Sequence, residues 1–125
     1  MLRLALERLQ EKLTKENLWL YILQLLRTRE LYAYEIRDKI KDAFGFETAK
    51  ITIYVVLYKM EREGLVNSVT ERRENANTTR RYYKPTEAGM RALEGGKVLL
   101  RKALESLEDQ PGKETFSHDK SAAQP

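Results

Sequence analysis

The chain has 125 residues and carries 23 lysines and arginines against 19 acidic residues, a net charge of +4. That length suits one compact domain with accessory helices, and a hydrophobic fraction of 42% is enough for one modest core. Because the chain has no cysteine, disulfides, thiol nucleophiles and cysteine-based metal sites are excluded.

Two helices are predicted at the N-terminal end. A leucine stripe at helical spacing predicts an accessory helix over residues 1–13. The stripe consists of Leu2, Leu6, Leu9 and Leu13. The next helix runs to about Arg27 and is apolar nearly all round, so it belongs at the centre of the core. Thr14 and Asn17 are competing candidates for its N-cap, and the two helices could also form one continuous rod.

Two further helices follow, and each is expected to end at a glycine. The first runs from Tyr32 to about Phe44 and stops at Gly45, and the second covers roughly residues 49–63 and stops at Gly64. One face of the second helix should pack on the core and the opposite face should be exposed. The core face comprises Ala49, Ile53, Val56, Leu57 and Met60, and the opposite face comprises Ile51, Tyr54, Val55, Tyr58 and Arg62.

The remaining predicted elements are a hairpin and a last helix. β-branched and aromatic residues predict strands at residues 65–70 and 80–84, joined by a polar turn. Thr86 can cap a helix that runs to about Glu108. The domain boundaries expected from this order are an accessory helix over 1–13, a winged-helix DNA-binding domain over 14–85, a C-terminal dimerisation helix over 86–109 and a disordered tail over 110–125.

The positive charge is concentrated in one part of the chain. Residues 48–84 contain eight cations and four anions, so they carry the whole net charge of +4. Arginine pairs bracket the tip of the hairpin, namely Arg72, Arg73, Arg80 and Arg81. A helix followed by a cationic hairpin suits insertion into a duplex groove with contacts to the flanking phosphates.

Three motifs resemble the PadR family of transcriptional regulators. They are Tyr32-Ala33-Tyr34-Glu35-Ile36, then Thr52-Ile53-Tyr54-x-x-Leu57-x-x-Met60-Glu61-x-Glu63-Gly64-Leu65-Val66, and Arg81-Tyr82-Tyr83-x-x-Thr86-x-x-Gly89. Ala33 departs from the Tyr-Gly-Tyr that is usual in the family. The fold class implied is mainly α with a small antiparallel hairpin, a winged helix-turn-helix with N- and C-terminal dimerisation helices.

The resemblance implies a repressor that binds an inverted repeat in double-stranded DNA as a homodimer. We expect the helix over residues 49–63 in the major groove and the hairpin on the flanking backbone or minor groove. The predicted DNA contacts are Lys50, Thr52, Tyr54, Tyr58 and Lys59 on the helix and Arg72, Arg73, Arg80 and Arg81 on the hairpin.

The exposed helix face is aromatic and aliphatic, where Arg, Asn and Gln would give direct readout of bases. Ile51 and Val55 could contact thymine methyl groups, and Tyr54 and Tyr58 could bind phosphates through their hydroxyls. The alternative is that this face docks a protein partner, which would make the chain a winged-helix protein–protein interaction module.

Leucine stripes at both ends of the chain predict the dimer. The small wing domain cannot bury all of them, so we expect the two end helices to pack across a two-fold axis, as in PadR-like proteins. The predicted interface residues are Leu2, Leu6, Leu9, Leu93, Leu100, Leu104 and Leu107. The alternative is that the C-terminal helix folds back on its own domain. Gly95-Gly96 predicts a kink or a close helix crossing.

Other classes of function find little support in the sequence. Catalysis would need a nucleophile, an acid–base pair or a metal, and the only histidine, His118, lies in the predicted tail. No apolar run approaches the roughly 20 residues of a membrane span, so a cytoplasmic protein is expected. With no cysteine and one histidine, neither a metal nor another cofactor is expected. Some PadR-like regulators sense phenolic or other aromatic compounds, so a small aromatic effector stays an alternative. The aromatic residues that could line its cavity are Trp19, Tyr21, Tyr32, Tyr34 and Phe44. A tryptophan among leucines, however, is more often a core residue.

Overall fold

The computed structural model describes residues 2–73 and 77–108, with side chains from Arg3 onwards. The described helices are α1 (Leu2–Leu13), α2 (Leu18–Leu26), α3 (Ala33–Phe44), α4 (Lys50–Arg62) and α5 (Glu87–Leu107). The described strands are β1 (Leu31–Tyr32), β2 (Val66–Glu71) and β3 (Arg80–Pro85). The predicted tail with His118 and part of the predicted hairpin turn lie outside the described residues.

The two N-terminal helices are separate, because a 3-10 turn at Lys15–Asn17 interrupts them. The Thr14 hydroxyl donates to the carbonyl of Gln10 over 2.6 Å, so Thr14 closes α1 and does not cap α2. Asn17 occupies the N-cap position of α2, but its side chain accepts no hydrogen bond from a backbone amide of the first turn. Instead, the Trp19 indole donates to the Asn17 side-chain oxygen over 3.2 Å.

The predicted glycine stops of α3 and α4 are both confirmed. Gly45 and Gly64 each have a φ of 79°, in the left-handed region that glycine adopts without a steric penalty. At the other end of α3, the Glu35 carboxylate accepts a hydrogen bond from the Tyr32 backbone amide over 3.2 Å and so satisfies a free donor of the first turn.

A three-stranded antiparallel sheet forms the wing side of the fold, in the order β1-β3-β2. The predicted hairpin is confirmed, with β2 and β3 paired from Val66 opposite Pro85 to Glu71 opposite Arg80. β1 was not predicted, because two residues are too short to show an alternating pattern. It forms by pairing Leu31 with Tyr83 along the free edge of β3. The predicted winged helix-turn-helix class is confirmed. We call the hairpin of β2 and β3 the wing.

The hydrophobic core joins α2, α3, α4, the sheet and the start of α5. Its fully buried side chains are Leu18, Ile22, Leu23, Leu31, Ile36, Ile40, Ile53, Leu57, Met60, Val66 and Leu93. The core face predicted for α4 is correct at Ile53, Leu57 and Met60 but wrong at Ala49. Ala49 is exposed because it precedes the helix, as its N-cap, in an extended conformation.

The first turn of α5 is fixed to the end of α4. The Thr86 hydroxyl accepts a hydrogen bond from the Gly89 amide over 2.9 Å and donates one to the carbonyl of Gly64 over 2.6 Å. Thr86 therefore caps α5, as predicted, and joins it to the turn before β2.

The chain divides into two compact units, one up to Gly95 and one from Gly96. The first contains the whole winged helix, and the second begins within α5. A Cβ atom built on Gly95 meets no other atom within 4 Å, so no other described element approaches this glycine closely. The predicted kink stays a prediction. None of the described helices is both long enough and apolar enough to cross a membrane.

Candidate nucleic-acid interface

Helix α4 presents an apolar face to solvent. Ile51 is 68% exposed and Val55 47%, while the other side of the same helix buries Ile53 and Leu57 completely. The exposed aromatic residues Tyr54 and Tyr58 complete this surface, which we call the α4 face. A contiguous group of large apolar side chains at the surface marks a binding site, because leaving it in water is unfavourable. The predicted exposure of this face is confirmed.

The N-terminal end of the α4 face is cationic. The Lys50 ammonium donates to the Tyr34 hydroxyl of α3 and lies 4.2 Å from the centre of its ring. The Arg37 guanidinium lies 5.1 Å from the same ring and is also paired with Asp38 over 3.3 Å, so this group keeps one net positive charge. The pKa of Tyr34 is lowered, first by the hydrogen bond and charge of Lys50 and further by Arg37. Lys50, Tyr34 and Arg37 therefore form one cationic group beside the start of α4.

The C-terminal end of the α4 face is also cationic. Arg62 lies 5.8 Å from the centre of the Tyr58 ring, and its Nη1 is 3.4 Å from the Tyr58 hydroxyl. Arg81 of β3 donates to the Ser68 hydroxyl over 3.3 Å and lies 3.9 Å from Glu61 of α4. The α4 face is thus apolar in its middle and positive at both ends.

The four arginines predicted to grip DNA have different surroundings. Arg72 is exposed, and no carboxylate in the described part of the chain is paired with it. Arg80 lies 4.4 Å from the centre of the Tyr32 ring, and Arg81 keeps more than half of its side chain exposed.

Arg73 differs from the expectation for this group. Its guanidinium is paired with Glu30, which precedes β1, and with Glu71 of β2, where Nε lies 2.5 Å from Oε2. It also lies 3.6 Å from the centre of the Tyr82 ring. Hydrogen bonds to Glu30 and then to Glu71 raise the pKa of Arg73. Its positive charge is therefore largely matched within the chain, which sequence spacing could not reveal.

Among the helix residues predicted to contact DNA, Tyr54 and Tyr58 lie on the α4 face and Lys50 lies at its N-terminal end. Thr52 and Lys59 lie along one edge, where Lys59 borders a depression of about 390 Å³ next to Trp19. Three residues at the ends of the α4 face were not in the predicted set, namely Tyr34, Arg37 and Arg62. For Tyr34, the sequence signal was the Tyr32-Ala33-Tyr34 motif itself. In the structure Tyr34 is exposed, whereas the preceding Ala33 is buried.

The five aromatic residues considered for an effector cavity do not share one. Tyr21 packs edge-on against Phe44 at 4.9 Å and Phe46 at 5.2 Å, whereas Trp19 faces the depression beside Lys59. Tyr32 packs against Tyr82 at 5.6 Å, and Tyr34 lies beside Lys50.

The leucines predicted to form the dimer interface fall into two groups. Leu6, Leu9, Leu100, Leu104 and Leu107 are exposed, and Leu107 keeps 83% of its surface in solvent. The assignment of Leu93 is wrong, because this residue is only 2% exposed and belongs to the core of the winged helix. The side chain of Leu2 lies outside the described part of the chain.

The chain is similar to several solved regulators. A PadR family transcription regulator from Clostridium difficile R20291 is 26% identical; the alignment covers 71% of this chain and 92% of that one, with a TM-score of 0.65. A PadR-like transcriptional regulator from Bacillus cereus is also 26% identical, with 77% and 96% covered and a TM-score of 0.62. PadR of Bacillus subtilis, solved in complex with operator DNA, is 25% identical, with 83% and 54% covered and a TM-score of 0.58.

Among curated proteins, no significant match to the sequence is found. The sequence profile of the family described as "Transcriptional regulator PadR-like family" matches residues 22–95, which is more than half of the chain. Those residues contain α3, α4, the wing and the start of α5. The chain therefore belongs to the PadR-like family of transcriptional regulators.

Proposed function

We propose that the protein is a repressor that binds an inverted repeat in double-stranded DNA as a homodimer. In this proposal α4 lies in the major groove and the wing contacts the flanking backbone or minor groove. The solved complex of Bacillus subtilis PadR with operator DNA supports a DNA-binding role for this chain.

The observation that carries the proposal is the charge distribution around the α4 face. Duplex DNA has base edges along the floor of the groove and phosphates along both sides. An apolar centre with cations at both ends matches that arrangement. The groups that we propose contact phosphates are Tyr34, Arg37, Lys50, Tyr54, Tyr58, Arg62, Arg72, Arg80 and Arg81.

The exposed leucines of α1 and of the C-terminal part of α5 support the homodimer. Two winged helices related by a two-fold axis would contact half-sites about one helical turn apart. Occupation of a promoter by such a dimer would exclude the transcription machinery, which is why we propose a repressor.

One specific observation favours a second candidate function, docking of a protein. The centre of the α4 face is apolar, and an apolar contact with a protein partner would bury it as well. The two functions differ in their response to salt, because phosphate contacts release counterions and apolar contacts do not.

The experiment that tests the proposal is selection of bound fragments from genomic DNA at moderate salt, followed by footprinting of a selected fragment. We expect a symmetric footprint with two half-sites, and a single asymmetric site of monomer size would contradict the dimer.

Lys50→Gln should weaken binding, whereas Lys102→Gln should not. Lys102 is an exposed cation on α5 and loses the same charge, so it is the matched control.

A further inference from the structure

The α4 face lacks the side chains that read most bases. In the major groove, guanine is usually read by Arg or Lys and adenine by Asn or Gln. Helix α4 contains neither Asn nor Gln. Its three cations lie away from the centre of the face, since Lys50 bonds Tyr34, Arg62 packs on Tyr58 and Lys59 borders the depression beside Trp19.

The centre of the face instead offers two aliphatic side chains. Ile51 and Val55 are one helical turn apart on the same side of α4, and both are exposed. The major groove has one apolar feature that a branched aliphatic side chain can contact, the C5-methyl group of thymine.

We propose that Ile51 and Val55 recognise the operator through thymine methyl groups, so that the bases under α4 are rich in thymine. This inference rests on the proposed insertion of α4 into the major groove. Tyr54 and Tyr58 adjoin the two aliphatic residues on the α4 face, and both are exposed, so their hydroxyls are available to phosphates.

Deoxyuridine differs from thymidine only by the absence of this methyl group, so it isolates the contact. Burial of one methyl-sized group contributes enough to change an equilibrium constant about fourfold. We therefore expect replacement of thymine by uracil under α4 to weaken binding by about fourfold for each methyl group contacted. The same replacement in the flanks should have little effect.

The experiment measures the affinity of a fragment selected by the protein itself, made with thymine or with uracil in the half-sites. Each fragment is titrated with the natural chain, with Ile51→Ala, with Val55→Ala and with the double variant. Val98→Ala is the matched control, because Val98 of α5 belongs to neither the α4 face nor the wing and is 44% exposed, close to the value for Val55. Thermal unfolding of each variant checks that these exposed substitutions leave the fold intact.

The proposal predicts that the natural chain and Val98→Ala prefer thymine, while the double variant binds both fragments equally. Equal affinity of the natural chain for the two fragments would overturn the methyl readout and leave DNA binding itself standing. A preference for thymine that persists in the double variant would also overturn it, because the methyl groups would then act through another part of the protein or through DNA shape. Failure to bind any fragment at any salt concentration would overturn the proposed function as well.

Discussion

At the scale of single residues, the neighbouring arginines Arg72 and Arg73 have opposite surroundings. Arg72 is exposed, whereas Arg73 is paired with Glu30 and Glu71 and lies over the Tyr82 ring. Because Glu30 precedes β1 and Tyr82 lies in β3, Arg73 joins the wing to the rest of the sheet. We infer that Arg72 is available to a phosphate and that Arg73 positions the wing.

This difference gives a prediction for Arg72. Arg72→Ala should weaken binding to all DNA sequences alike and reduce the slope of log affinity against log salt by about 0.9, the value for one lost phosphate contact. Titrations of a selected fragment at several salt concentrations check this. An unchanged slope would show that Arg72 does not contact a phosphate.

The prediction for Arg73 has a different readout. Arg73→Gln should leave the salt slope nearly unchanged but speed hydrogen exchange of the β3 amides, because the wing loses its link to Glu30. Glu30→Gln should reproduce the faster exchange, since it removes the other half of the same ion pair. A drop in the slope equal to that of Arg72→Ala would instead make Arg73 a direct DNA contact.

At the scale of elements, the start of α5 packs closely on the turn that precedes β2. A Cβ atom built on Gly89 would lie 2.1 Å from the Leu65 carbonyl oxygen and 3.1 Å from the Leu23 side chain. Only a residue without a side chain permits this approach. Gly95, in the same helix, has nothing within 4 Å of the equivalent position.

The two glycines therefore make a matched pair of substitutions. Gly89→Ala should lower the free energy of unfolding by about 1–3 kcal/mol, because the added methyl group forces the helix away from the turn that precedes β2. Gly95→Ala should raise it by up to about 1 kcal/mol, since alanine favours the helix. Urea unfolding measures both, and a Gly89→Ala protein as stable as the natural one would contradict the close packing.

The same scale shows what the sequence could and could not predict. Helices α3 and α4 were predictable because their glycine stops are local signals, and α2 was predictable because its nearly continuous apolar sequence is also local. β1 was not, because it exists only by pairing with β3, which is far away in the sequence. Leu93 was wrongly assigned to the dimer because its heptad spacing to Leu100 is equally compatible with a core position. The partners of Arg73 were also beyond prediction, since Glu30 lies 43 residues away.

At the scale of the whole molecule, the exposed leucines at both ends are the main feature that the winged helix does not explain. Leu6 and Leu9 of α1 and Leu100, Leu104 and Leu107 of α5 are all exposed. Stripes of this kind favour association, because burial of apolar surface is the dominant favourable contribution to it. We propose that a second copy of the chain covers them.

A charge placed on one stripe tests the homodimer. Leu104→Glu should shift the protein from dimer to monomer in sedimentation equilibrium, because a carboxylate at an apolar interface must lose its hydration. Lys102→Glu is the control, since Lys102 lies on the side of α5 opposite Leu100 and should leave the dimer intact. A natural chain that is monomeric at micromolar concentration would contradict the proposal.

The central claim is that the cationic ends of the α4 face and the wing hold a polyanion. The most direct test is the affinity for a selected DNA fragment as a function of salt concentration. We expect log affinity to fall linearly with log salt, with a slope of about 0.9 for each phosphate contacted and hence of several units in all. An affinity that stays constant between about 50 and 200 mM salt would contradict the claim and favour apolar docking of a protein instead.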